Sequence, residues 1–388
     1  MFHFTALPPL SLYIHLPWCV RKCPYCDFNS HEIRNDVLPE RAYVDALIAD
    51  LEQDLPGVWG RPVETVFIGG GTPSLFSAEA VDRLLSQLRA LVALPPTAEI
   101  TLEANPGTVE AGRFAEFRAA GVNRLSIGVQ SFDDRMLAEL GRIHDARQAV
   151  TAVASARGAG FTELNLDLMY GLPGQTVAQA LADLDRALDL QVTHLSHYQL
   201  TIEPNTRFAR TPPALPGDEA TWEMQHISQE RLAAAGFKHY EVSAYARDGH
   251  HCRHNLNYWQ FGDYLGIGAG AHGKISSAQT QRIVRSAKLR HPREYLAAAA
   301  GPGRVAEQRV LNRHEAGFEF MLNALRLSDG FPVPLFAQHT GLPLSIVERQ
   351  LQEAEAKGLI ERDMHTIRPT ELGGRFLNDL TALFLPHD

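Results

Sequence analysis

The hydrophobic pattern along the chain alternates between short apolar runs and longer amphipathic stretches. The runs at residues 11–16 and 64–68 are almost continuously apolar, which is typical of parallel strands covered by helices, and strand-like runs follow at residues 100–103, 124–129, 164–169 and 193–198. Between two of them Val81, Leu84 and Leu88 repeat with helical spacing. About six strand–helix units therefore follow one another, which predicts an α/β fold with a partial parallel barrel.

The pattern changes beyond about Asn312, where short helices are predicted at residues 315–327, 334–339, 344–357 and 375–385. A hairpin is predicted at residues 359–370. Helices followed by a hairpin indicate a small winged-helix-like domain, so we expect two domains, residues 1–305 and 306–388. Such domains often bind DNA, but residues 310–388 hold 7 Lys+Arg against 11 Asp+Glu. This balance suits phosphate recognition poorly, and we expect no nucleic-acid binding.

Composition and charge exclude several classes of protein. The 388 residues are 45% hydrophobic and 21% charged, as in a soluble globular chain, and the net charge of -9 argues against wrapping nucleic acid or lying on an anionic membrane. The N-terminus lacks a basic start followed by a long apolar core, and no stretch is long enough to span a membrane. We therefore expect a cytoplasmic protein.

Three of the four cysteines, Cys19, Cys23 and Cys26, lie close together with the spacing C-x3-C-x2-C. A loop with this spacing can hold three corners of an iron–sulfur cluster, and because no fourth cysteine is near, one iron would stay open to an exchangeable small molecule. The alternatives are a zinc knuckle, a disulfide pair with a spare thiol, or three unrelated buried cysteines. Zinc sites usually pair two C-x2-C units or add histidine, and disulfide frameworks belong to short secreted chains, so the cluster is favoured.

Polar and glycine-rich residues collect where the predicted strands end. The backbone after Gly69 can approach a polar ligand such as an α-amino group, because three successive glycines carry no side chain. Four polar residues either are solvated strand ends or hydrogen-bond ribose hydroxyls and a carboxylate: Glu103, Gln130, Arg142 and Asp167. Their joint position at strand ends favours the second interpretation.

The cysteine spacing, with Tyr25 before the last cysteine, resembles the signature of radical S-adenosylmethionine proteins, whose [4Fe-4S] cluster binds the methionine part of the cofactor on its open iron. Motifs at residues 13–17, 69–73, 126–132, 141–144 and 165–174 resemble the oxygen-independent coproporphyrinogen III oxidase-like group of that superfamily. The resemblance covers most of residues 10–300. It implies that S-adenosylmethionine is bound by Tyr13, Tyr25, Gly70, Gly71, Thr72, Glu103, Gln130, Arg142 and Asp167.

Two departures separate the branches of this group. The oxidase branch has a further cysteine two places after the third ligand, where this chain has Phe28. A second stretch reads H-N-x-x-Y-W and resembles the motif of the heme chaperones in the group, which implies that heme is bound by His254, Asn255, Tyr258 and Trp259, with His254 on the iron. By itself the stretch offers a nitrogen ligand and two rings for a macrocycle. Alternatively, His254 bridges backbone groups in a loop and the rings plug the open end of the barrel.

We therefore expect a heme chaperone that binds a [4Fe-4S] cluster, S-adenosylmethionine and heme and transfers heme to acceptor proteins of respiratory type. The alternative is an oxygen-independent coproporphyrinogen III oxidase, a radical enzyme of porphyrin metabolism, and no catalytic residue is assigned. Membrane association of the acceptor, a homodimer, and covalent attachment of heme at Cys252 are left open. The glycine-rich stretch Gly262–Gly273 is interpreted as a loop against the cofactor cavity.

Overall fold

The computed structural model describes residues 2–33, 37–108 and 111–386. Six adjacent parallel strands follow one another in chain order, which confirms the predicted strand–helix repeat: β1 (Leu10–Leu16), β2 (Val63–Gly70), β3 (Glu99–Ala104), β4 (Arg124–Gln130), β5 (Glu163–Tyr170) and β6 (His194–Gln199). The helices that follow these strands are α1 (Glu40–Asp54), α2 (Ala78–Leu91), α3 (Ala111–Ala120), α4 (Asp134–Glu139), α5 (Ala146–Gly158) and α6 (Val177–Asp189).

The helices form because each one has an apolar stripe to cover the sheet. In α2, Val81, Leu84 and Leu88 are buried as their spacing predicts, and the Ser77 hydroxyl caps the helix by accepting from the Ala80 N–H. The strands are apolar on both sides because one core encloses them, and Leu12 of β1 is completely buried there.

Six more strands extend the sheet on both sides of these six: β7 (Lys238–Glu241), β8 (Ala244–Ala246), β9 (Asp263–Ile267), β10 (His272–Ser277), β11 (Arg282–Lys288) and β12 (Val305–Val310). Four further helices lie in this part of the chain: α7 (Arg207–Arg210), α8 (Asp218–Ala234), α9 (Arg253–Trp259) and α10 (Pro292–Ala298). Within the described residues the sheet is open, in the order β12-β11-β10-β9-β1-β2-β3-β4-β5-β6-β8-β7.

The interpretation of Gly262–Gly273 as a loop is wrong for much of its length. Residues Asp263–Ile267 form β9, which pairs in parallel with β1, and β10 begins at His272. Glycine is required inside this strand because a Cβ on Gly266 would lie 1.9 Å from the His272 carbonyl oxygen. Close packing of backbone against backbone thus explains the glycine content.

The C-terminal part consists of short helices and a small sheet, as the pattern predicts. The elements are α11 (Arg313–Ala324), β13 (Phe331–Pro332), α12 (Val333–Thr340), α13 (Glu348–Ala356), β14 (Ile360–Arg362), β15 (Thr366–Pro369), α14 (Glu371–Arg375) and α15 (Leu377–Ala382). They enclose a separate core around Phe320 and Phe336, which also receives Phe2 and Phe4 from the start of the chain. The large sheet ends with β12, so the boundary predicted after residue 305 falls at the first residue of its last strand.

In the described part of the chain, no helix combines the length and the apolar character that crossing a membrane requires.

Candidate functional site

The loop with the three cysteines is closed at its base by two short strands. Residues Trp18–Cys19 pair in parallel with His31–Glu32, and the Ile33 N–H donates to the Cys19 carbonyl at 3.0 Å. Inside the loop, the Lys22 ammonium group donates to the Phe28 carbonyl at 3.0 Å. These bonds fix the backbone of the loop from within and so restrict the positions that its thiols can take.

The three cysteines line one cavity of about 290 Å³ at the ends of the parallel strands. All three thiols are free. Eight of the nine residues predicted to bind S-adenosylmethionine line the same cavity: Tyr25, Gly70, Gly71, Thr72, Glu103, Gln130, Arg142 and Asp167. The carboxyl ends of parallel strands meet at one edge of a sheet, and this brings together residues up to 148 positions apart in sequence (167 minus 19). Their assignment to the cofactor stays a prediction.

The glycines after β2 bring this strand end against the cysteine loop. The Gly71 N–H donates to the Leu16 carbonyl at 2.8 Å, and the Thr72 N–H donates to the Trp18 carbonyl at 2.7 Å. A Cβ on Gly71 would lie 2.4 Å from the Trp18 carbonyl oxygen, so a side chain there would push the two segments apart. Gly71 is therefore needed for the shape of the cavity, whether or not it contacts a ligand.

Arg142 connects the far wall of the cavity to the cysteine loop. Its Nη1 lies 3.5 Å from Cys23 Sγ, and its Nη2 donates to the Gly128 carbonyl at 2.7 Å. A guanidinium stays charged at neutral pH and stabilises negative charge on sulfur. Burial acts in the other direction and raises the pKa of the Cys19 thiol to about 11, so binding a cluster there must release a proton.

Two carboxyl groups form the opposite wall. Glu103 Oε2 accepts from the Gly70 N–H at 3.1 Å, while Asp167 accepts from the Asn165 amide at 2.8 Å. Burial raises the pKa of Glu103 to about 8, with a further contribution from Asp167, and burial also raises the pKa of Asp167. Carboxyl oxygens buried in this way can accept hydrogen bonds from hydroxyl groups of a ligand. Those bonds would replace the hydrogen bonds to water that the oxygens lose on burial.

Replacing Glu103 with glutamine should make the ligand-free protein more stable at pH 8 and leave its stability at pH 4 unchanged. The folded protein keeps the Glu103 proton up to about pH 8, whereas the unfolded chain, with the ordinary pKa of 4.5, releases it as the pH rises. The stabilisation that protonated Glu103 contributes is thus fully present below pH 4.5, and it is lost as the pH rises from 4.5 to about 8. Glutamine does not ionise and avoids this loss.

Urea unfolding at both pH values measures this difference. We expect the gain in unfolding free energy to reach up to a few kcal/mol at pH 8. Glu116→Gln, at an exposed position of α3, is the matched control and should behave like the wild type at both pH values. An equal stability change for Glu103→Gln at pH 4 and pH 8 would contradict the expectation.

Gln130 stands at the end of β4 in an uncommon conformation. Its φ of 70° lies in the left-handed region, which a side chain other than glycine seldom adopts. The Tyr198 hydroxyl donates to Gln130 Oε1 at 2.7 Å and fixes the side chain at the cavity wall. Strain of this kind tends to occur at functional sites, where the surrounding structure maintains it.

Tyr13 is the one predicted S-adenosylmethionine residue that does not line the cysteine cavity. Its hydroxyl lies 3.0 Å from His15 Nδ1, and its ring stacks on Phe67 at 6.3 Å between centroids. The side chain lines a second, adjoining cavity of about 650 Å³, which shares Gly70 and Glu103 with the first.

The H-N-x-x-Y-W motif forms helix α9 rather than a loop. His254 is 1% exposed, its Nδ1 lies 2.8 Å from the Thr65 hydroxyl, and its Nε2 has no hydrogen-bond partner among the described residues. Burial lowers the pKa of His254 to about 3, so the imidazole is neutral at physiological pH. Thr65 lies five residues before Gly70 on β2, which places His254 roughly 16 Å from the strand ends.

The four residues of this motif point in different directions. Tyr258 lines the 650 Å³ cavity and contacts the His254 ring at 5.0 Å. The Trp259 ring packs under the Arg326 guanidinium at 4.3 Å, towards the C-terminal part, and Asn255 is half-buried. The motif is therefore not assembled around one cavity in this conformation.

Cys252, the other candidate attachment point for heme, is buried at the start of α9. Its thiol donates to Glu99 Oε1 at 3.6 Å, and burial raises the pKa of Cys252 to about 12. A protonated, enclosed thiol is a poor nucleophile, so this geometry favours a structural role.

Sequence reasoning missed several residues of the cysteine cavity, among them Ser126 and Tyr198. It also missed Asn165, which precedes Asp167 by two residues on β5 and therefore shares its face. The period of two along the strand was the signal that could have found Asn165. No comparable signal marks Tyr198, because only the neighbouring strands bring it to Gln130. Over the described ranges, no three His, Cys, Asp or Glu side chains are grouped closely enough for a single metal ion.

Comparison with known proteins gives one consistent result. Residues 13–187 match the radical SAM superfamily, and residues 311–376 match the HemN C-terminal domain. The chain is 51% identical to the heme chaperone HemW of Escherichia coli over 98% of this chain and 99% of that protein. Its identity to the heme chaperone HemW of Bacillus subtilis is 34%, over 97% of this chain and 99% of that protein. The solved coproporphyrinogen III oxidase HemN of Escherichia coli superposes with a TM-score of 0.82 at 24% identity, over 97% of this chain and 90% of that one, and so shares the fold.

Proposed function

Because this chain belongs to the HemW heme chaperone family of the radical SAM superfamily, we propose that it binds heme and transfers it to acceptor proteins. The relatives named heme chaperones match almost the whole chain. The likeness to coproporphyrinogen III oxidase concerns the fold alone. Phe28, at the position where the oxidase branch has a cysteine, is 61% exposed at the edge of the cysteine cavity, and an apolar ring there offers no replacement for a thiol.

Cys19, Cys23 and Cys26 hold a [4Fe-4S] cluster in this proposal, and the rest of the cysteine cavity holds S-adenosylmethionine. The cluster supplies an iron with an exchangeable position. Three free thiols on a preformed loop, facing a cavity that Gly71 keeps open, fit such a group. Arg142 stabilises the charge on Cys23, while Glu103 and Asp167 accept hydrogen bonds from hydroxyls of the cofactor.

The single observation that carries heme binding is the free nitrogen of His254. The Thr65 hydroxyl donates to Ser11 Oγ at 2.8 Å, so its remaining lone pair accepts from the Nδ1–H of His254. This places the proton on Nδ1 and leaves the lone pair of Nε2 directed at no partner within the described structure. A buried acceptor without a partner is costly, and coordination to heme iron would satisfy it.

Heme binding at His254 requires helix α9 to move. The imidazole is enclosed, with its ring 5.1 Å from that of Phe67, so iron cannot reach Nε2 in the described conformation. Helix α9 has seven residues, and heme that binds only to its displaced position would shift the protein towards that position. In this proposal, heme is bound when helix α9 is displaced and is released when the helix returns to the described position.

A transfer experiment tests the function. The heme-loaded protein, mixed with a heme-free acceptor such as an apo-cytochrome of the b type, should deliver heme faster than the same amount of heme on serum albumin. The acceptor spectrum follows the reaction. In parallel, anaerobic incubation of the cluster-loaded protein with coproporphyrinogen III and S-adenosylmethionine should give no sustained decarboxylation. Repeated turnover, or transfer no faster than from albumin, would contradict the proposal.

A further inference from the structure

The second cavity lies beside the cysteine cavity, between β1 and the antiparallel strands. Its volume of about 650 Å³ lies within the range of roughly 300–1,000 Å³ that small-molecule sites occupy. Gly70 and Glu103 form part of both cavities, so the two spaces adjoin at the end of β2. Tyr13 and Tyr258, which were predicted to bind S-adenosylmethionine and heme, both line this space, but no ligand has been assigned to the cavity as a whole.

The inside of the second cavity is aromatic. Tyr13, Tyr258 and Tyr264 line it, and the rings of Tyr258 and Tyr264 meet edge to face at 4.4 Å. Rings arranged in this way offer flat, apolar surface to a planar ligand, and Phe28 adds an exposed ring at the mouth. A large conjugated macrocycle has the shape that such walls accept.

The rim of the cavity carries positive charge without a fixed partner. Arg290 is exposed at the mouth and makes no ion pair with any described acidic side chain. The other cations nearby are already neutralised, because Lys288 contacts Asp54 at 2.7 Å and Arg285 contacts Glu319 at 2.6 Å.

Two further groups at the rim influence how well an anion would bind there. His272 is exposed there, and its imidazole can donate a hydrogen bond in either charge state. Glu307 also lines the mouth and opposes an anion. Arg290 is therefore the permanent charge that would bring a carboxylate to this side of the mouth.

We infer that the second cavity receives heme, with the macrocycle against Tyr258 and Tyr264 and the propionate carboxylates on Arg290 and His272. This inference rests on the proposed function and names the site where heme first binds. Tyr258 connects the cavity to His254, since its side chain lines the cavity and its ring contacts the imidazole at 5.0 Å. Tyr258 lies on helix α9, so the movement of this helix that heme binding requires would also displace the Tyr258 ring from between the cavity and the free nitrogen.

The test compares heme with heme dimethyl ester, in which both carboxylates are blocked. The wild type should bind heme about tenfold more tightly than the ester, as expected for charge-assisted hydrogen bonds. Arg290→Gln should lose this preference while binding the ester as the wild type does. Arg293→Gln, exposed three positions further on and outside the cavity, is the matched control and should retain the preference.

The outcomes separate this inference from the proposed function. If Arg290→Gln still prefers heme over the ester like the wild type, the inference alone is overturned. A wild type that binds neither compound overturns both. S-adenosylmethionine also has a carboxylate, so its affinity is measured on the same variants. A loss of S-adenosylmethionine affinity in Arg290→Gln with unchanged heme binding would assign the rim to that cofactor and overturn the inference.

Discussion

Replacing His254 with alanine should abolish the spectrum of a histidine-ligated heme. The imidazole is neutral, its Nδ1 is fixed by Thr65, and its Nε2 has no partner in the described structure, so it can bind iron once helix α9 has moved. Alanine removes the iron ligand without adding a charge or a bulky group. Heme titration of the reconstituted protein, followed by absorption and electron paramagnetic resonance, measures the loss, and we expect at least a hundredfold drop in affinity, about 2.7 kcal/mol.

Two further variants distinguish ligation from a general loss of structure. Thr65→Val removes the partner of Nδ1 but keeps the imidazole, so heme should bind more weakly with a histidine-type spectrum. His194 is equally buried, but both of its nitrogens are hydrogen-bonded, to Asn165 at 2.6 Å and to Tyr240 at 2.7 Å. His194→Gln should therefore retain the spectrum. An unchanged spectrum in His254→Ala would remove the ligand assignment.

Replacing Cys23 with serine should abolish the iron–sulfur cluster, and the same holds for Cys19 and Cys26. Three thiolates leave no spare protein ligand, because the fourth cysteine, Cys252, is enclosed at the start of α9. The measurement is the iron and sulfide content after anaerobic reconstitution. We expect the wild type to approach four of each per chain and the variants to hold almost none.

Cys252→Ser is the matched control for the cluster, because it removes a thiol of the same size from another part of the chain. It should keep the full iron and sulfide content. Heme binding should also survive in Cys23→Ser, since His254 lies roughly 16 Å from the strand ends that face the cysteine loop. Zinc in place of iron in the wild type, or full iron content in Cys23→Ser, would contradict the cluster assignment.

The repeating hydrophobic pattern was sufficient to predict the six parallel strands β1 to β6 and the helical stretches between them, because burial on both faces of a parallel strand leaves a largely apolar run. The order of these elements then implied that the strand ends meet. This order places Cys19, Glu103 and Asp167 at one edge of the sheet, and eight of the nine predicted cofactor residues do line one cavity there. The short C-terminal helices and the hairpin also follow from local pattern alone.

The segment Gly262–Gly273, which was interpreted as a loop, shows where the local pattern is not sufficient to predict the structure. Gly266 lies in a strand that needs glycine, because the backbone of His272 passes beside it. Glycine permits both loops and close backbone contacts, and the sequence does not distinguish them. Similarly, Phe2 and Phe4 join the core of the C-terminal part, and between them the His3 N–H donates to the Gly341 carbonyl at 2.7 Å.

The sequence by itself determined the six parallel strands, the cysteine loop and the two motifs expected to bind the cofactor and heme, because these depend on spacing along one segment. Only the tertiary structure decided which side chains share a cavity. It moved Tyr13 into the second cavity, enclosed His254 behind Tyr258, and directed Trp259 towards Arg326. The physical reason is that the direction of a side chain depends on packing between elements that are distant in sequence, and no local pattern records that packing.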